Sequence, residues 1–176
     1  MVSGPPGVGK STVAEALAGR FDPSALVTGD DFFAFLRNGA VPPWLPAAHE
    51  QNQVVTEAAA VATGRLAALC DVVYDGVVGP WFLAAFQAAL GACELHYAVL
   101  LPPLAVCLDR VSRREGHGFT DLGAAEAMWH EFDRSALDPR HVVTEHDRPA
   151  AALAGLLAQR VEDGSLRVVP GPPSGG

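Results

Sequence analysis

Gly4-Pro5-Pro6-Gly7-Val8-Gly9-Lys10-Ser11 has the spacing G-x-x-x-x-G-K-[ST], which wraps a polyphosphate in main-chain N–H groups. Glycines at 4, 7 and 9 let the backbone turn those groups inward into an anion nest. Lys10 brings a compact ammonium to the outer phosphates, a slot that a planar guanidinium fits poorly. It is the sole lysine of the chain; the other eleven fixed cations are arginines. Ser11 offers a hydroxyl to Mg²⁺, and Thr12 follows it into a helix predicted over Ser11–Ala18. The positive N-terminal end of that helix adds to the anion site.

Carboxylates are the second kind of chemistry in the chain. Asp30 and Asp31 follow the apolar run Ala25–Thr28, with Phe32 next, and Asp75 follows Val72-Val73-Tyr74. In an open α/β sheet, ligands sit beyond the carboxyl ends of the strands, where all three aspartates are expected. Asp75 has the form of a magnesium-supporting carboxylate. Asp30 is the candidate base for an attacking hydroxyl, with Asp31 second; helix capping is the alternative role for either. Asp31, Phe32 and Asp75 are also candidates for contact with an acceptor.

Arg110, Arg113 and Arg114, beside the loop Gly116–Asp121, fit a lid that brings cations to a transferring phosphoryl group, or a solvated helix face. His117 lies between two glycines in that loop. Pro42-Pro43-Trp44-Leu45-Pro46, followed by His49, Glu50 and Asn52, forms a stiff aromatic corner with polar groups one turn away. Trp44, His49 and Asn52, with Trp81 further on, are the expected acceptor wall; covering the core edge is the plainer role for the tryptophans.

The elements that must position these groups alternate strand and helix, which predicts a parallel sheet with helices on both faces. Only Met1, Val2 and Ser3 precede Gly4, so the first strand is expected to be very short, or to start upstream. Strands are predicted at 25–28, 72–74, 94–101 and 141–144, with a short edge strand at 166–169. Helices are predicted at 31–38, 47–70, 80–90, 103–114 and 123–134. A last helix should run to Val161, with Pro149 in its first turn and Asp147 as cap. The reading is a single domain over 1–163, a lid near 110–121 and a tail over 164–176.

Composition bounds the partners. The net charge of −8 argues against a nucleic-acid-binding face. No run of 18 apolar residues is present, so no membrane span is expected. The phosphate loop lies where a secretion signal would, and Cys70, Cys93 and Cys107 sit apart in apolar stretches. Both point to a cytoplasmic protein with reduced, buried thiols. His96, His130, His141 and His146 are too scattered for a metal site. The oligomeric state is not legible in the sequence.

The loop, Gly29-Asp30-Asp31-Phe32, the Asp75-Gly76 strand end and the arginine cluster together resemble the small P-loop kinases. That group includes the chloramphenicol phosphotransferase, shikimate kinase and gluconate kinase families, and the first is the nearest resemblance. It implies the three-layer P-loop fold, α/β, with a parallel five-stranded sheet in order 2-3-1-4-5. It implies ATP with Mg²⁺, transfer to a hydroxyl, and Asp30 as base. The expected catalytic set is Asp30, Lys10, Arg110 and Arg114. Gly4 to Thr12, with Arg110 and Arg113, would hold the nucleotide, and Ser11 with Asp75 the metal. The alternatives are a nucleoside or nucleotide kinase and a non-catalytic ATP-binding regulator. A GTPase is excluded, because its Asn-Lys-x-Asp segment needs a second lysine.

Overall fold

The computed structural model describes residues 1–113 and 119–169. Five strands form one parallel sheet in the order β2-β3-β1-β4-β5. The strands are β1 (Val2–Ser3), β2 (Ser24–Thr28), β3 (Asp71–Asp75), β4 (Ala98–Leu100) and β5 (Val142–Val143). Between and after them run α1 (Lys10–Ala18), α2 (Gly29–Phe33), α3 (His49–Ala67), α4 (Pro80–Leu90), α5 (Leu104–Ser112), α6 (Leu122–Arg134) and α7 (Ala150–Glu162). Single 3₁₀ turns at Pro46–Ala48 and Pro139–His141 lead into α3 and β5.

Alternate residues of a strand face opposite sides, and the core follows that rule. Val73, Ala98 and Leu100 point into one apolar layer with Ala14 and Leu17 of α1 and Leu153 and Leu157 of α7. Tyr74 points the other way, onto Ala59 and Ala60 of α3 and Phe82 and Phe86 of α4. Tyr97 and Val99 meet Phe132 of α6 on that same side. Helices therefore cover both faces, as expected. Among the described residues no helix is long and apolar enough to cross a membrane.

β1 is short yet central. Val2 and Ser3 pair with Ala98 and Val99 on one side, and Val2 with Asp75 on the other. The buried Ser3 hydroxyl donates to the Val78 carbonyl at 2.8 Å and accepts from the Val78 N–H at 2.9 Å. The Tyr97 hydroxyl donates to the same carbonyl at 2.6 Å. These bonds fix the turn after β3, whose last residue is Asp75.

Several expected boundaries move for physical reasons. β4 covers only Ala98–Leu100, because β1 offers two residues to pair with. The preceding stretch meets the chain end instead: Val168 N–H donates to Leu95 and Tyr97 N–H to Leu166, both at 2.8 Å, around an antiparallel His96–Arg167 bridge. That bridge replaces the predicted edge strand. Leu166, in the short tail expected after 163, is packed into the core. α2 starts at Gly29 rather than 31, which puts Asp30 and Asp31 in its first turn, next to the positive helix end. The cap position is Thr28, not either aspartate. α7 is preceded by Pro149 with no side-chain cap, so Asp147 does not cap it; Asp147 lies 3.3 Å from His146. Of the cysteines only Cys107 is buried; Cys70 and Cys93 are partly exposed.

Ser3→Ala leaves the Val78 N–H without its buried acceptor. It should lower unfolding stability by about 1–3 kcal/mol, read by denaturant melts.

Candidate active site

The phosphate loop leaves the end of β1 with positive φ at Gly4 (137°), Gly7 (84°) and Gly9 (94°). The loop is wedged from behind. A Cβ on Gly7 would run into the Cys107 carbonyl of α5, and one on Gly4 into the Leu100 carbonyl at the end of β4. Only glycine satisfies both the twist and the fit. α1 begins at Lys10 with no side-chain cap and no acidic residue in its first turn, which leaves its leading N–H groups for an anion. Lys10 Nζ donates to the Pro5 carbonyl at 3.0 Å, so its ammonium is folded over the loop.

Arg110 holds this loop rather than swinging over it. Its Nη1 donates to the Val8 carbonyl at 3.1 Å and its Nη2 to the His146 carbonyl at 3.2 Å. The guanidinium ties the loop to the segment after β5. Arg113 sits at the end of α5, is largely exposed and pairs with Asp109 at 2.7 Å one helical turn back. Arg114 and His117, with the middle of the expected lid (114–118), lie outside the described residues.

A cavity of about 760 Å³ opens from the phosphate loop. Its loop end is walled by Pro6, Lys10, Ser11, Asp30 and Asp75, and its far end by Trp44, His49, Asn52 and Trp81. The structure thus gathers most of the expected acceptor wall around one space. Asp31 and Phe32 are not among the lining residues; the next residue, Phe33, is. Thr12 is exposed on α1 and does not line the cavity. The proline-rich corner is held by α3: Gln51 exchanges two hydrogen bonds with the Val41 backbone, each 2.8 Å, and Asn52 Nδ2 donates to Pro43 at 2.7 Å. Trp44 stands edge-on to Phe119 at 5.1 Å, joining the corner to the approach of α6.

Sequence reasoning missed the contribution of α6. Ala124, Met128 and Glu131 line the cavity, as do Tyr74, Thr56 and Phe119. The spacing 124, 128, 131 marks one helix face, a signal present in the sequence, though nothing in it says what that face meets. α6 is placed by Asp121, whose side chain accepts from the Ala124 N–H at 2.9 Å. Burial raises the pKa of the Tyr74 hydroxyl, helped by Asp30 and Asp75, so it stays a neutral donor.

Asp75 is buried, and its Oδ1 has no hydrogen-bond partner. Burial pushes its pKa up; the Ser11 hydroxyl and the Lys10 charge oppose this, and Asp30 adds to it. A buried, half-satisfied carboxylate beside a serine hydroxyl fits a hard divalent cation. Mg²⁺ takes few protein ligands and completes its shell with phosphate oxygens and water. Ser11 and Asp75 would hold it, and it would neutralise charge on the phosphates.

A parallel sheet in this order, with a glycine-rich loop passing from its middle strand into a helix, defines a P-loop protein with the fold of the small P-loop kinases. The chain belongs to the AAA domain family, which matches residues 1–139. No curated protein matches it. Among solved structures it is similar to the Deinococcus radiodurans tunicamycin resistance protein, at 18% identity, 96% coverage of both chains and a TM-score of 0.69. A sugar kinase from Janibacter sp. HTCC2649 is similar at 19% identity over 92% of both chains, with a TM-score of 0.63. Shikimate kinase from Acinetobacter baumannii is similar at 19% identity over 94% of this chain and 93% of its own, with a TM-score of 0.59. At such identities the likeness is one of fold.

The folded-state pKa of Asp75 lies above its ordinary 3.8, so the folded protein binds the proton more tightly than the unfolded chain. Ionising Asp75 therefore weakens the nucleotide-free fold as pH rises through the window above that value. Asp75→Asn should leave the nucleotide-free protein at least as heat-stable at neutral pH. It should also weaken Mg²⁺-dependent ATP binding at least about tenfold, measured by calorimetry with and without Mg²⁺.

Proposed function

We propose that this protein is an ATP-dependent phosphotransferase that moves the γ-phosphoryl group to a hydroxyl of a small molecule. The observation that carries the reading is the continuity of the cavity. Lys10 and Ser11 of the phosphate loop, the carboxylate of Asp30 and an aromatic chamber share one wall. A nucleotide-binding regulator needs no second chamber opening onto a carboxylate. Two of the similar folds are kinases by name, of a sugar and of shikimate, both hydroxylated small molecules.

In this reading the loop amides hold the phosphates of ATP. The acceptor hydroxyl lies against Asp30, which takes its proton as the new O–P bond forms. The bond from the γ-phosphorus to the β–γ bridging oxygen breaks, and ADP leaves. Lys10 offsets charge on the transferring group. Tyr74 bonds acceptor or phosphate oxygens from the floor. Arg110, with its donors on the Val8 and His146 carbonyls, keeps the loop in shape, which is a positioning role. Orientation in line and electrostatic stabilisation supply most of the rate.

Asp30→Asn should keep ATP affinity within a few-fold and lower turnover by roughly 10²–10⁴, followed by ADP release with a panel of hydroxylated acceptors. Full turnover in that variant removes Asp30 from the role. Lys10→Ala should abolish transfer with every acceptor.

A further inference from the structure

The chain has two tyrosines, and both are buried. Tyr97 donates to the Val78 carbonyl at 2.6 Å. Tyr74 is 4% exposed, lines the cavity, and makes no hydrogen bond among the described residues. A phenol taken out of water without a partner costs stability. A ligand in the cavity that meets the hydroxyl removes that cost.

The surrounding backbone is shaped to that hydroxyl. Tyr74 is the last residue but one of β3, with its ring edge-on to Phe86 at 4.9 Å. Its oxygen reaches the carboxyl ends of β2 and β3, where a Cβ on Gly29 or on Gly76 would collide with it. Neither glycine has a positive φ, so the backbone twist does not ask for glycine at either place; the phenol does. Gly29 precedes Asp30 and Gly76 follows Asp75, and all four residues line the same cavity. Burial, then the charges of Asp30 and Asp75, hold the hydroxyl neutral and able to donate.

An alcohol oxygen has one hydrogen and two lone pairs. Beside Asp30 it gives the hydrogen to the carboxylate. One lone pair must face the γ-phosphorus, which leaves the other to accept a hydrogen bond. A neutral amine, with a single lone pair, could not both attack and accept. A phosphoryl oxygen is the rival partner for Tyr74, but the loop amides and Lys10 already serve it. Its negative charge at the phenol would also lie against the Asp30 carboxylate, whereas a neutral alcohol brings none.

Resting on the phosphotransferase reading above, we propose that Tyr74 is a further catalytic residue, whose hydroxyl donates to the acceptor oxygen while Asp30 takes that oxygen's proton. The acceptor O–H bond breaks toward Asp30 and the O–P bond forms. The bond from the γ-phosphorus to the β–γ bridging oxygen breaks, and ADP leaves. The phenol keeps its own proton throughout. It fixes the direction of the attacking lone pair and stabilises the negative charge that grows on the oxygen.

Water fits the same seat, so hydrolysis of Mg²⁺–ATP without added acceptor tests the assignment on the full chain. Single-turnover release of radiolabelled γ-phosphate is followed in wild type, Tyr74→Phe and Lys10→Ala. Tyr74→Phe keeps the ring and removes only the hydroxyl. It should lower the rate by about 10²–10³ and melt no lower than wild type. In calorimetry it should bind ADP and a non-hydrolysable ATP analogue as wild type does. Undiminished hydrolysis in Tyr74→Phe, with wild type faster than Lys10→Ala, overturns the assignment and leaves the phosphotransferase standing. Lost affinity for the ATP analogue but not for ADP gives the phenol to a phosphoryl oxygen and overturns it. A slower variant that also melts lower makes the hydroxyl structural and overturns it. Wild-type release no faster than that of Lys10→Ala sinks the phosphotransferase, and this assignment with it.

Discussion

Two residues of strand hold the middle of this sheet, and the site depends on them. Val2 and Ser3 pair with β4, and Val2 also with the last residue of β3, Asp75. The phosphate loop departs from the same strand. The nest and the Asp75 carboxylate are therefore fixed to one another through a single stretch of backbone. A strand this short has few ladder bonds to spare. The Ser3 hydroxyl supplies two more through Val78, and Tyr97 anchors the same carbonyl from β4. The polar cluster behind the loop thus does work that a longer strand would do by pairing.

From that anchor the site divides into two regions with different kinds of order. The phosphate end is built of backbone. Its glycines are pressed against the carbonyls of Leu100 and Cys107, and Arg110 clasps it to the segment after β5. The acceptor end is built of side chains from three separate segments: the proline-rich corner, α3 and α6. Asp30 stands between the two, in the first turn of α2 at the carboxyl end of β2. In the proposed reaction a phosphoryl group held by one region and a hydroxyl held by the other would meet beside it.

Much of this was legible in the sequence, for reasons that can be stated. The phosphate loop is a local device, so its residues and spacing declare it without knowledge of the rest of the chain. The alternation of strand and helix, with aspartates closing two strands, gives the sheet and its ligand-binding edge; the strand order came from resemblance. Where the reading failed, a distant partner decided. The apolar run from Leu95 looks like one strand, yet how much of it joins the sheet is settled by the two residues of β1. Arg110 and Arg113 look alike by spacing. One reaches carbonyls far away in the chain, and the other turns back to Asp109. Glu131 and Met128 carried no motif, and only the packing of α6 beside Tyr97, Val99 and Trp81 gives them a cavity to face.

The proline-rich corner has an evolutionary corollary. Trp44 and Leu45 are substantially exposed, and their segment is attached to α3 mostly through its own main chain, by Gln51 and Asn52. Replacing those side chains removes little from the buried layers that keep the chain folded. Descendants of this sequence can therefore sample new chamber shapes at small thermodynamic risk, while the nest is frozen by its fit to neighbouring backbone. Change in what the chamber recognises is thereby separated from change in the nest.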